Sequence, residues 1–179
     1  MTPVTPTGQA VVMLTPLPLT ADSFAEFGSV VGPDHLVLTS TEFPFFTNLA
    51  TLQPVHLPIT YINRHHDHQQ LFSTLDGRPM IVVVAAPTVS AAELRPEHVR
   101  AFVTDGNTAI VFHIDTWHIE PRAAGSEPIR ALNVQATNNR VHTERIELAP
   151  ALGCVLALEQ PGGRYMSVPP GKGQSRRLG

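Results

Sequence analysis

Apolar residues along this chain gather in short runs that turn formers keep interrupting. Seventeen prolines and twelve glycines are spread throughout and leave no room for long helices. Ile81-Val82-Val83-Val84-Ala85 is rich in β-branched residues and bounded by Gly77-Arg78-Pro79 and Pro87, which predicts a buried strand. Ala109-Ile110-Val111-Phe112 follows the turn Asp105-Gly106-Asn107 and predicts another. From Ile129 to Ala136 apolar and polar positions alternate, as on a half-buried strand. Weaker strand patterns cover Leu57 to Ile62, Ala101 to Val103, Val141 to Leu148 and Val155 to Leu158. Helix is expected in two places. One lies between Leu19 and Gly28, where Thr20 caps, Phe24 and Phe27 share a face and Gly28 stops the turn; the other is a single turn at Ser90 to Glu93. Many short strands and few helices predict an all-β sandwich or barrel.

Composition narrows the class. At 179 residues, 42% hydrophobic and 15% charged, the chain has the character of one compact globular domain. We expect that domain to span residues 1–168, followed by a polar, turn-rich tail from Pro169 to Gly179 that is loosely held or docks on a second subunit. A formal charge of −3 leaves no electrostatic footprint for nucleic acid or an anionic membrane surface. The one cysteine, Cys154, excludes an internal disulfide and reads as a buried thiol in a reducing compartment. The longest apolar run, Met80 to Pro87, is too short to span a bilayer, and the N-terminus lacks the pattern of a signal peptide. The expected location is the cytoplasm.

Chemistry concentrates in two segments, Arg64-His65-His66-Asp67-His68-Gln69-Gln70 and Phe112-His113-Ile114-Asp115-Thr116-Trp117-His118, which hold five of the nine histidines. Imidazole titrates near neutral pH and ligates metals. Each segment adjoins a predicted strand, so the two are expected to line one cavity from two sides. The isolated His35, His56, His98 and His142 are expected at the surface or in local hydrogen bonds. Trp117 is expected as a cavity wall, since indole has no proton chemistry near neutral pH. The step from His113 to His118 is odd, so a regular strand turns only one of them inward. His113 is the one expected to face the cavity.

Several stretches resemble the ureidoglycolate lyase family. They are Leu52-Gln53-Pro54, Leu57-Pro58-Ile59-Thr60, Arg64-His65, Gln70-Leu71-Phe72, Arg100 to Gly106, and Phe112-His113 with Trp117-His118 and Pro121; Ser23-Phe24, Phe27-Gly28 and Val30 add to them. The likeness runs over roughly residues 17–150. It implies a cupin, a small antiparallel β-barrel that is usually a homodimer, and an enzyme that splits ureidoglycolate into glyoxylate and urea in allantoin catabolism. The chain departs from the family pattern at Asn63, where a Glu is usual, and at Ile114 and Ile119; the loop Thr47-Asn48-Leu49-Ala50 keeps only part of its family counterpart. Those departures leave two alternatives open: a related cupin enzyme acting on another ureido or α-hydroxy acid, or a non-catalytic barrel that binds a small carboxylate.

The metal-binding pattern of cupins, laid on this chain through His65, falls on Asn63, His65, Gln70 and His113. Two imidazoles and two neutral amides offer no charge to offset ion desolvation. No resident metal is therefore expected; a divalent ion would have to use His65, Gln70 and His113, or a different set that includes His66 and His68. For the implied reaction, His113 is the expected base, with His65 as acid or orienter and His118 as the next candidate. Gln70, Asn63, Asn48 and Trp117 are expected to contact substrate, and the substrate carboxylate would take Arg64, Arg78 or Arg100.

Overall fold

The computed structural model describes residues 3–5, 8–33, 36–41, 43–55, 58–137 and 142–159. His35, His56 and the tail from Pro169 lie outside them, as do the expected strand starts at Leu57 and Val141. In chain order the elements are β1 (Ala10–Leu14), β2 (Leu17–Pro18), α1 (Ala21–Phe24), β3 (Gly28–Val30), β4 (Phe45–Leu52), β5 (Tyr61–His65) and β6 (Gln70–Thr74). Next come β7 (Met80–Ala85), a 3₁₀ turn at Pro96–His98, β8 (Arg100–Val103), β9 (Ile110–Phe112), β10 (Trp117–His118) and β11 (Arg122–Ala123). The last are β12 (Ile129–Ala136), β13 (Thr143–Glu147), α2 (Leu148–Leu152) and β14 (Cys154–Leu158).

These strands form a barrel of two facing sheets. One runs β13-β5-β10-β7-β8-β2 with β11 beside β7, and the other runs β3-β9-β6-β12-β4. Pairing is antiparallel except for β2 with β8. The order interleaves strands distant in sequence, as in a double-stranded β-helix of the cupin type. A third sheet, of parallel β1 and β14, covers the outer face of the larger sheet.

Side-chain alternation explains why β7 is buried throughout. Met80, Val82 and Val84 point into the barrel with Phe24, Phe72, Phe102 and Phe112. Ile81, Val83 and Ala85 point the other way and pack under Leu14, Leu148, Leu156 and Leu158. A strand with two covered faces reads as an unbroken apolar run, which is why it was the clearest strand in the sequence. Cys154 is buried in β14.

α1 is shorter than expected. Thr20 caps it, with its hydroxyl accepting from the Ser23 N–H at 3.1 Å, and Ser23 reciprocates. Gly28 does not end this helix; it opens β3 at a close approach, where a Cβ would sit 2.2 Å from the Val111 carbonyl oxygen. Gly106 lies in the expected turn, with φ of +90° and the Gly77 carbonyl oxygen where a Cβ would stand.

Candidate active site

One end of the barrel interior is a polar cavity of about 430 Å³, lined by Tyr61, Asn63, His65, Gln70, Phe72, His118, Glu120, Asn133, Gln135, Thr143 and Arg145. Strand register accounts for the set. Asn63 pairs with His118 on one side and with Arg145 on the other, and His65 pairs with Thr143. Residues directly opposite one another share a face, so the whole row projects into the barrel. From the facing sheet come Gln70 and Phe72 on β6, with Asn133 opposite Phe72 on β12.

Hydrogen bonds fix the interior. Nδ1 of His118 lies 2.7 Å from the Thr116 carbonyl oxygen, and its Nε2 lies 3.1 Å from the Gln70 side-chain amide. The other end of that amide lies 2.9 Å from Asn133 and 3.2 Å from Gln135. Asn133 in turn meets Asn48 at 3.0 Å. Nδ1 of His65 lies 2.8 Å from the Thr143 hydroxyl, and its ring is 5.1 Å from that of His118. Phe112 stacks on His118 at 4.5 Å and closes the cavity toward the apolar end.

Both imidazoles are held neutral. Burial pushes His65 down to about 3, helped by His118 and His68 nearby and opposed by Asp67. Burial likewise pushes His118 down to about 4, opposed by its bond to the Thr116 carbonyl. Desolvation penalises the charged form of a histidine more than these partners restore. Behind His65 stands His68, stacked on it at 4.4 Å, with Nδ1 held by Asp67 at 2.7 Å. The Nε2 of His68 is buried and, among the described residues, has no hydrogen-bond partner.

Of the residues expected at the site, His65, His118, Gln70 and Asn63 line the cavity. His113 does not. Phe112 belongs to the barrel core, so its successor lies off the inward face, and the His113 ring reaches the Ser29 hydroxyl at 3.3 Å. Asp115, with φ of +67°, then turns the chain so that His118 enters on β10. Trp117 is not a cavity wall: it packs in the outer cluster, donates to the Val89 carbonyl at 2.8 Å and carries the Arg64 guanidinium 4.3 Å over its ring. Arg64 is therefore on the outer face too, where it pairs with Glu144 at 2.7 Å. Arg78 is held by Asp76 and the Pro128 carbonyl, and Arg100 by the Glu97 and Val99 carbonyls. Asn48 is exposed and touches the cavity only through Asn133.

Because His113 is outside, the structure does not bring together His65, Gln70 and His113 as a metal set. His66 is exposed and pairs with Asp115 and Glu144, which separates it from His68. Among the described residues, no three His, Cys, Asp or Glu side chains are placed to hold a metal ion. His98 and His142 are as local as expected, the first accepting from the Arg95 N–H and the second near Asp67.

Seven cavity residues had not been singled out: Tyr61, Phe72, Glu120, Asn133, Gln135, Thr143 and Arg145. Arg145 supplies the cavity's guanidinium, 3.7 Å over the Tyr61 ring and bonded to Glu147 at 2.7 Å. A signal for part of this set was present in the sequence. On β12 the inward face reads Ile129, Ala131, Asn133, Gln135, apolar in the core and then amide in the cavity.

A cupin-type barrel with two neutral histidines, four side-chain amides, one carboxylate and one guanidinium around a closed-ended cavity defines a site for a small polar molecule. Residues 36–150 match the family model for ureidoglycolate lyase, and the chain belongs to that family. It is 33% identical over 122 residues to the ureidoglycolate lyase of Pseudomonas savastanoi pv. phaseolicola, covering 56% of this chain and 70% of that protein. It is 32% identical over 126 residues to the ureidoglycolate lyase of Pseudomonas syringae pv. tomato, covering 59% and 72%. Among solved structures, a dTDP sugar isomerase from Desulfovibrio desulfuricans G20 aligns with a TM-score of 0.44 at 17% identity, over 67% of this chain and 72% of that one.

Proposed function

We propose that this protein is a lyase that cleaves ureidoglycolate to glyoxylate and urea. The observation that carries the reading is the pair of neutral imidazoles, His65 and His118, facing one cavity that also holds a guanidinium and a set of amides. Ureidoglycolate has a hydroxyl and a ureido nitrogen on one carbon. Its collapse needs a base for the hydroxyl proton and an acid for the departing nitrogen. As the base removes the proton, the oxygen electrons form the aldehyde C=O, the C–N bond breaks, and the nitrogen takes a proton to leave as urea. Because both histidines rest neutral, one of them has to serve in turn as base and as acid. That role falls to His118 rather than His113: it takes the hydroxyl proton and, as imidazolium, returns it to the departing nitrogen, with His65 as orienter.

The rest of the cavity suits the remaining groups. Arg145 lines the cavity while paired with Glu147, and is the cation placed to meet the substrate carboxylate, in place of Arg64, Arg78 and Arg100. Asn63, Asn133 and Gln135 offer donors and acceptors for the ureido group, and Glu120 an acceptor for its N–H groups. Asn63 stands in the cavity where a charged carboxylate is usual in the family, a departure that bears on substrate choice. Purified protein incubated with racemic ureidoglycolate should release urea and glyoxylate in equal amounts. Absence of both products, with no release from other ureido acids, would overturn the reading.

Two further expectations belong to this proposal. A symmetric homodimer is supported by β4, a long strand at a sheet edge with Leu49 exposed on it; a mass of 19.4 kDa by light scattering, independent of concentration, would contradict it. A cytoplasmic location fits the single buried thiol. No helix among the described residues is long and apolar enough to cross a membrane.

A further inference from the structure

With His118 neutral, the hydrogen bonds around it admit one polarity. The Thr116 carbonyl can only accept, so the Nδ1 that meets it at 2.7 Å carries the proton. A neutral imidazole protonated at Nδ1 has a bare lone pair at Nε2. The Gln70 atom 3.1 Å from that lone pair must therefore be the amide NH₂, and the end near Asn133 and Gln135 must be the carbonyl oxygen. The two ends of an amide are nearly isosteric, and the network rather than the shape decides between them. Once Gln70 is turned this way, Asn133 has to present its NH₂ to Gln70 and its oxygen to Asn48, which donates in turn. Gln135 turns with Gln70 at its other contact.

The opposite polarity is also consistent, but only if His118 is doubly protonated. Then Nε2–H donates to the Gln70 oxygen, Gln70 donates to Asn133 and Gln135, and Asn133 donates to Asn48. We propose that Gln70 is a positioning residue for His118, and that the chain His118–Gln70–Asn133–Asn48 reverses as a unit when Nε2 takes a proton. The chain holds His118 as the Nδ1–H tautomer in the resting protein. On reversal it offers the amide oxygen to the new imidazolium and turns the Asn133 and Gln135 amides around the ligand at the same moment. The titratable groups facing His118 are His65 on β5, His68 behind it with Asp67, and Glu120 and Arg145 in the cavity wall. His65 also hydrogen-bonds the Gln70 side chain and so shares this chain with His118; none of these groups touches Asn48.

The inference deepens the proposed function by naming what governs its base, but it can be tested without substrate. Asn48 is exposed and lies outside the cavity lining. Asn48→Asp replaces a reversible amide by a group that only accepts, so it forces the whole chain into the polarity that favours protonated His118. Imidazole nitrogen NMR of the ¹⁵N-labelled full chain reads the His118 tautomer and its titration directly. The resting wild-type protein should show the Nδ1–H form at neutral pH. Asn48→Asp should raise the His118 midpoint by roughly one pH unit, and the rise should survive 0.5 M salt, where through-space effects of an exposed charge are screened within about 4 Å. Thr47→Asp, the same charge on the neighbouring exposed residue but off the chain, should shift it by only a few tenths and lose that shift in salt. Gln70→Glu should raise the midpoint most. An Nε2–H tautomer in the wild type, or equal shifts from Asn48→Asp and Thr47→Asp, would overturn the inference. Failure of the urea assay with these NMR results intact would instead remove the proposed substrate and leave the chain standing.

Discussion

The turn between β5 and β6 and the turn between β9 and β10 each carry histidines to the cavity, but they deliver them differently. Through the first, alternation holds on both sides: Tyr61, Asn63 and His65 enter from one strand, Gln70 and Phe72 from the next. Through the second, the inward position passes from the apolar Phe112 to His118 across a left-handed residue at Asp115, and His113 is left against Ser29. Both turns end in the same place, with His65 and His118 rings 5.1 Å apart. A histidine beside a strand is therefore only half an argument. Its phase relative to the nearest committed core residue decides whether it reaches the site.

The sharpest way to break this comparison is to exchange the fates of the two histidines in the second turn. His118→Ala should lower kcat by roughly 10²-fold or more, the usual scale of a lost acid–base group, with a far smaller change in KM. Steady-state kinetics on ureidoglycolate measures both.

A second contrast opposes two arginines that each lie over an aromatic ring on opposite faces of the β5–β13 pair. Arg145 sits on Tyr61 inside the cavity, and Arg64 sits on Trp117 outside it. Arg145→Met should raise KM about tenfold or more through loss of a charge-assisted bond to the carboxylate. Arg64→Met should leave KM within about twofold and lower Tm instead, because it strips a partner from Glu144 and cover from Trp117.

The electrostatics of the two inward histidines can be read from stability. Their folded values of about 3 and about 4 lie below the ordinary 6.5. The unfolded chain therefore takes up protons first as pH falls below 6.5, and stability drops through the window from about 6.5 to about 4 before levelling near 3. Tm measured at pH 7 and pH 4 should differ by less in a His65→Gln, His118→Gln double variant than in the wild type. An unchanged difference would mean that these histidines are not buried neutral.

The smallest effect is expected at the residue favoured by sequence. His113→Ala should keep kcat within about threefold of wild type and cost at most about 1 kcal/mol, the scale of its single bond to Ser29. A loss comparable with that of His118→Ala would place His113 back in the mechanism.

Local sequence carried much of the fold. β7 was legible because both its faces are covered, and β12 because only one is. β6 was missed because its Gln70-Leu71-Phe72-Ser73-Thr74 places an amide and a phenyl ring on the same inward face, which reads as no pattern at all. β10 was missed because two residues are too few to show a period. The cavity was half legible: Asn63 and His65 keep one inward phase along β5, and Gln70 takes up a new one on β6 after the turn. Arg145 and Thr143 were not legible, since they enter through the register of β13 on β5, a pairing between strands some eighty residues apart that no local pattern encodes.

What the sequence determined by itself is the strands whose pattern is clearest, β7, β9 and β12 among them, several turns, and the residue types able to do acid–base work, because alternation and turn chemistry act over a few neighbouring residues. It also determined that Cys154 would be buried and that the helices would be short. The tertiary structure alone decided which histidine is the inner one, which arginine is the cavity's cation, and which way the amides between them can point. Those choices depend on the phase carried through a turn and on register between distant strands. They are fixed only when the two sheets close on each other and bring the interior polar groups into one network.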